Sequence, residues 1–407
     1  MKQATYVPIL RWKRGETDAL MAMYPADKAL FTPLMELTSV PYDHPKKHYK
    51  LGLDLFLQKA AAGAKTFWGQ SDEIFVDLHW LLEDQAAPKI QPFVHPFTFL
   101  FDEFLSNGIQ AIPVVNGTED AATIAAVSGI IRKDKRGLCL RLREPVLFEE
   151  SLSTFIDTVL TTYALKASRV DLVIDFGSVI PGREAHDAVT ARRIINHLPH
   201  LKAWRTLVLA ASAFPNPVIG VKANTITLFP RSEWQIWNRV QTGSNIPNRV
   251  PIFGDYAINA PGWEEHDPRL ISTSANIRYT SHVGWYFFKG RSLRNPKRGP
   301  GATGPTPPSP FLQFITLAKQ VVAHAAYSGN TYCNGDDHIH QIASGTRKGK
   351  KPETGSQETW RNIGTNHHVT FVVRQIASLP ATSGQNAPGL GSHQVATAPP
   401  AGRKGTV

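Results

Sequence analysis

The chain has two cysteines in 407 residues, Cys139 and Cys333. They are too few and too far apart for a disulfide framework or a cluster of thiolate ligands, so both are expected as free thiols. No apolar run approaches the roughly 18 residues that span a bilayer, and no membrane association is expected. The opening MKQATYVPIL lacks the apolar core and small-residue cleavage site of a signal peptide, which makes the cytoplasm the expected location. Walker loop, GxSxG elbow and HExxH motif are missing and no GxGxxG stands between a strand and a helix as a dinucleotide fingerprint, so the NTPase, dehydrogenase, serine-hydrolase and zincin readings lose their support. No fixed-period repeat is present either.

Charge is present in excess, at a formal +11, but it is unevenly placed. From Arg291 onward, 13 Lys and Arg face 4 Asp and Glu, a net +9 that leaves +2 for residues 1–290. Two readings stay open. The basic Pro/Gly-rich loop 294–310 and the insertion 345–355 could contact the phosphates of a nucleic acid, or they carry charge for solubility.

The remaining 42% apolar content is arranged as a recurring strand, polar turn and helix. The first unit is Tyr6 to Leu20. Further strands are expected at Leu30–Leu37, Ile74–Trp80, Gln110–Asn116, Gly137–Glu144, Arg169–Gly177, Arg205–Ser212 and Val250–Ala257, with helices between them. Val218–Phe229 reads as an extra extended segment, Asn276–Gly290 as a strand or hairpin, and Phe311–Tyr327 as the last outer helix. His368–Ala377 reads as a short helix or strand. Spacings near 30 residues argue for parallel β/α units, and eight of them for closure. The predicted fold is an α/β (β/α)8 TIM-like barrel with a C-terminal extension, a single domain over residues 1–380, and a disordered tail over 381–407 rich in Ser, Gly, Ala and Pro.

Strand parity then selects candidates. In Gly137–Glu144 the residues Leu138, Leu140 and Leu142 share the helix-facing side, which turns Cys139, Arg141 and Arg143 inward. The same reasoning turns Asp171, Val173 and Asp175 inward, with Phe75, Asp77 and His79, and with Thr32, Leu34 and Glu36. Barrel interiors are normally filled by branched apolar residues, so these ionisable groups require partners. Either Arg141 and Arg143 pair internally with Glu36, Asp77 and Asp175, or a ligand completes the set. Arginine clamps suit a phosphate or carboxylate, whereas grouped carboxylates suit a divalent cation or acid/base work. Lys13 and Glu16 after the first strand, and Asp255 and Tyr256 after the eighth, are expected near the same mouth.

A second constellation comprises Asp336, His338 and His340, then Arg361, then Asn366, His367 and His368. Its density of His and Asp invites a zinc reading, which the spacing supports poorly. The alternative is a polar network that pins the terminal segment to the barrel.

Four stretches carry a family resemblance: YVPILRWKRGETDAL at Tyr6–Leu20, FGDYAI at Phe253–Ile258, ANIRYTSHVGWYFFKG at Ala275–Gly290 and TWRNIGTNHHVTFVV at Thr359–Val373. The chain resembles the bacterial and phage family called beta family protein over about Tyr6 to Leu379. The resemblance implies a domain without settled activity or catalytic residues, found in phage and mobile-element contexts. Two classes of function follow. One is an enzyme acting on a phosphorylated or nucleic-acid substrate, with Glu36, Asp77, Asp175 and Asp255 as acid/base candidates and Lys13, Arg141, Arg143, Tyr256 and Arg278 binding the substrate. The other is a non-enzymatic recognition protein in bacterium and phage conflict.

Overall fold

The computed structural model describes residues 5–380 apart from 71, 85, 91–92, 216–219, 244, 264–266, 268–269, 271–272, 295–307 and 350. The tail 381–407 and most of the basic loop 294–310 therefore lie outside the described residues.

Eight parallel strands close into a barrel: β1 (Tyr6–Arg11), β2 (Leu34–Glu36), β3 (Glu73–Asp77), β4 (Gln110–Val115), β5 (Leu138–Leu142), β6 (Val170–Ser178), β7 (Thr206–Ser212) and, after an intervening strand β8 (Thr225–Phe229), β9 (Ile252–Asp255). The order around the barrel is β1, β9, β7, β6, β5, β4, β3, β2, as β/α alternation predicts. Val7, Ile9, Leu34, Phe75, Ile112, Val114, Cys139, Val173, Val208 and Ala210 pack its interior. Gly254 points into this layer, where a Cβ would stand 2.9 Å from Val208 and 3.0 Å from Ala210, so only glycine closes β9 onto β7. At the bottom, Asp171 is buried and paired with Arg205. The charges at the strand C-termini thus sit above a filled core.

Outer helices follow the strands: α1 (Arg14–Met21), α2 (Leu53–Phe67), α3 (Pro96–Ser106), α4 (Ala121–Asp134), α5 (Leu152–Thr162), α6 (Glu184–His197) and α7 (Ser232–Val240). Helix starts match local chemistry. Asp120 caps α4 by accepting the Thr123 N–H at 2.7 Å, and Pro96 opens α3, where its missing N–H costs nothing.

After β9 the chain makes an antiparallel hairpin, β10 (Ser274–Thr280) with β11 (Trp285–Ser292), to which β8 adds a third strand. Two helices follow, α8 (Gln313–Ala323) and α9 (Asn334–Ala343), and then the 21-residue α10 (Gln357–Ala377), opened by a Ser356/Thr359 capping box. The expected last outer helix is corrected here. The 311–327 segment forms α8, which packs Phe314, Leu317 and Val321 with Ile277, Phe288, Ile339 and Ile363 in a second core beside the barrel. It is α10 that lies along α1 and β1, so the final segment is one long barrel helix that begins well before His368. The β10–β11 hairpin and α8–α9 are an excursion between the eighth barrel strand and its helix.

Three boundaries also differ from expectation. Pro33 has no N–H for the ladder, and β2 shortens to Leu34–Glu36, leaving Thr32 outside it. The Asp77 carboxylate accepts the His79 N–H at 2.9 Å, turning the chain so that His79 and Trp80 belong to a short helix, His79–Glu83. Arg143 falls one residue beyond β5. The insertion 345–355 carries a two-stranded ribbon, Arg347–Lys348 with Lys351–Pro352. Among the described residues no helix is long and apolar enough to cross a membrane.

Candidate functional site

Arg141, 1% exposed, stands at the centre of the barrel mouth. Its Nε donates to Asp175 at 2.9 Å, Nη1 to Glu36 at 2.9 Å and to Asp77 at 2.8 Å, and Nη2 to the Tyr256 hydroxyl at 2.8 Å. Tyr256 in turn donates to Asp175 at 2.6 Å. Strand parity turned Arg141, Glu36, Asp77 and Asp175 inward, Tyr256 was expected near the same mouth, and the structure brings the five into contact. The three carboxylates converge on a guanidinium, which occupies the position a cation would take among them. Burial by itself would raise Asp77 and Asp175, but Arg141 and Arg143 outweigh it and hold both below the usual carboxylate range. Burial opposes the charge of Arg141 as well, and Tyr256, Asp175, Glu36 and Asp77 restore it.

Arg143 is held differently. Its contacts to Glu36 (3.3 Å), Asp77 (3.5 Å) and Asp175 (3.5 Å) are longer, and its side chain is 25% exposed. The guanidinium also lies 6.0 Å from the Trp80 ring centre. Two clefts meet at this residue. One, of about 260 Å³, is lined by Asp77, His79, Glu119, Asp120 and Thr123, and the other, of about 300 Å³, by Glu36, Trp80, Asp175, Tyr256 and Gly262.

Glu119 is not among the residues that strand parity selects. Asp120 is the cap, and Glu119 folds back so that its carboxylate accepts the N–H groups of Asn116 (2.5 Å) and Gly117 (3.0 Å). Burial raises its pKa despite these bonds. A carboxyl that lines the cleft with a raised pKa is an acid candidate that parity could not find, because it lies on a loop.

Asp255 is corrected. It faces outward from β9, is 1% exposed, and accepts hydrogen bonds from Tyr6 at 2.5 Å and from His368 at 2.9 Å. It therefore anchors α10 and stands apart from the Arg141 group, although its neighbour Tyr256 joins that group. Arg278 is also placed elsewhere, with Arg11, Glu16 and Arg361 beside the loop 258–262. Lys13 lies near them, 4.4 Å above the Trp263 ring centre.

The C-terminal constellation does pin α10. Asn366 accepts the Gly335 N–H at 2.8 Å and donates to the Ala19 carbonyl at 3.0 Å. Asp336 accepts from Tyr279 at 2.7 Å and from the Cys333 thiol at 3.0 Å, and stands 2.8 Å from His367 Nδ1. His367 Nε2 meets the Thr280 carbonyl at 2.9 Å. Each ring nitrogen of His367 thus faces an acceptor, the Asp336 carboxylate on one side and the Thr280 carbonyl on the other. His368 differs: Nε2 donates to Asp255, while Nδ1 accepts from the Trp285 N–H at 3.4 Å, and burial lowers its pKa. The ligand atoms of Cys333, Asp336 and His367 lie within 4.8 Å of one another. They are the atoms here that could hold a metal ion, and they also satisfy each other. His338 and His340 sit outside this group, His338 pairing with Glu353 at 3.0 Å.

A closed parallel barrel with ionisable groups at its strand C-termini defines a β/α-barrel protein of the TIM-like class. A family model described as Beta protein matches residues 6–374, and the chain belongs to that family. No curated protein matches it.

Proposed function

We propose that the protein is an enzyme acting on a small phosphorylated substrate seated against Arg143 at the barrel mouth. The observation that carries this reading is the contrast between the two arginines. Arg141 is consumed by contacts of 2.8–2.9 Å, while Arg143 has longer ones, keeps a quarter of its side chain exposed and borders both clefts. A guanidinium so placed can take a phosphate in a two-pronged hydrogen bond. Clefts of about 260 and 300 Å³ suit a nucleotide or sugar phosphate, or the end of a nucleic-acid strand. Glu119 lines one of these clefts and would donate a proton to the leaving group, a role that the upward push of burial on its pKa favours.

The test is turnover of a panel of phosphorylated compounds and end-labelled single strands, with magnesium or manganese supplied. Arg143→Gln should lower kcat/KM by 100-fold or more, and Glu119→Gln should remove the alkaline limb of the pH profile. Wild-type activity that survives Arg143→Gln would refute the assignment. The closed pairing around Arg141 favours a second reading, a recognition protein whose mouth is structural. A folded wild type inactive on the whole panel would favour that one.

A further inference from the structure

A second set of cations gathers behind the loop that walls one of the clefts. Arg11 ends β1, Arg278 lies in β10 and Arg361 lies near the start of α10. Arg11 rests on the Ala260 carbonyl at 2.8 Å and on that of Gly262, and Arg278 on the Ile258 carbonyl at 2.5 Å. Arg361 contacts the Asn259 side-chain oxygen. The carboxylate that acts on Arg278 and Arg361 is Glu16, 3.9 Å from Arg361 and 2% exposed.

Among the described residues, Glu16 is the carboxylate that acts on all three guanidiniums. Burial is the largest influence on Arg278 and Arg361 and pulls both below the usual arginine range, with Glu16 opposing it on each, while burial in turn pushes the Glu16 carboxyl up. The arrangement is nonetheless built to hold. At Gly15 a Cβ would stand 2.8 Å from Arg361 Cγ, so the glycine lets α1 approach and fixes the arginine. Arg361 keeps a third of its side chain exposed, which leaves the group open to solvent. Beside it, the Trp263 indole N–H is buried without an acceptor among the described residues, and Arg11 lies 5.5 Å from its ring centre.

We infer that Arg11, Arg278 and Arg361 form a binding site for a phosphate-type oxyanion, separate from the Arg143 cleft and independent of the function proposed there. Planar guanidinium donors match a tetrahedral oxyanion, whose negative charge suits a cluster of three arginines. The anion is either free phosphate or the terminal phosphate of a nucleotide.

Isothermal titration of the full chain with inorganic phosphate, and separately with adenosine 5′-monophosphate, tests the site. In wild type at low salt, phosphate should bind, with a site that Arg361→Gln weakens at least 10-fold and Arg143→Gln leaves intact. Glu16→Gln removes the competing carboxylate while keeping its shape, and should tighten that site several-fold. A purely structural Glu16–Arg361 pair would give no such gain. Circular dichroism checks folding, and Arg361→Lys replaces Arg361→Gln if the latter does not fold. Phosphate bound with the nucleotide excluded identifies the free anion, and binding of both identifies a terminal phosphate. The inference is overturned if folded wild type binds neither probe, if Arg361→Gln and Glu16→Gln leave binding unmoved, or if Arg143→Gln alone abolishes it. The last outcome would place the phosphate at the cleft, so this site and the Arg143 reading fail separately.

Discussion

Replacing Arg141 with methionine keeps an unbranched apolar stem and removes the charge that three buried carboxylates share. Glu36, Asp77 and Asp175 are then left with Arg143, whose contacts are 3.3–3.5 Å instead of 2.8–2.9 Å. Removing one partner of a buried ion pair costs about 3–5 kcal/mol. An unfolding entropy of about 2.1 cal/mol/K per residue gives roughly 0.8 kcal/mol/K over the described chain, so Tm should fall by roughly 4–6 °C. The pH dependence is the sharper signature. In wild type, Asp77 and Asp175 titrate below the ordinary Asp value of 3.8. Their contribution is present above that pH and is lost as pH falls through the depressed native values. In Arg141→Met burial is no longer outweighed, the native carboxyls bind protons more readily than the unfolded ones, and stability falls as pH rises above about 4. Thermal melts at pH 5 and pH 7.5 should therefore show the variant closing part of its deficit at pH 5. A difference in Tm that is the same at both values, or no loss at all, would refute the reasoning.

Other perturbations have equally definite signs. Burial pushes the Glu233 carboxyl up to about 8 against Arg231, which lies 3.4 Å away; native protein holds that proton, so stability falls between about pH 4.5 and 8. Glu233→Gln should flatten the fall in urea midpoint over that window. Asp255→Ala leaves Tyr6 and His368 buried without their acceptor and should cost about 2–5 kcal/mol in chemical denaturation, with turnover per folded molecule retained. Gly254→Ala forces a methyl against Val208 and Ala210 and should cost about 1–3 kcal/mol in the same measurement.

Most of the barrel was legible because two periods dominate it. Alternation in LCLRL and VDLVID turns one set of side chains to the helices and the other inward, and Arg141, Asp77, Asp175 and Glu36 followed from it. The eighth strand misled at Asp255 because the inward position beside it is Gly254, which has no side chain to mark the alternation. Helix α10 was hidden for a different reason. Every residue from Ile363 to Val373 is buried, including Thr365, Asn366, His367, His368 and Thr370, so no 3.6-residue apolar stripe survives. Its neighbours supply hydrogen bonds in place of apolar contact. The convergence of Arg11, Glu16, Arg278 and Arg361 depends on the return of α10 to α1 after an excursion of about a hundred residues, and no local pattern encodes that. Glu119 escaped notice as a site residue, since a carboxylate folded back onto its own loop looks in sequence like an ordinary helix-start residue.

The central claim is that Arg143 receives a phosphate at the barrel mouth, and tungstate, a heavy tetrahedral oxyanion, reports it most directly. Crystals soaked in tungstate should show an anomalous peak within hydrogen-bond reach of the Arg143 guanidinium, between the two clefts, and the peak should vanish in Arg143→Gln. Density confined to other positions, with the Arg143 contacts to Glu36, Asp77 and Asp175 unchanged, would contradict the account.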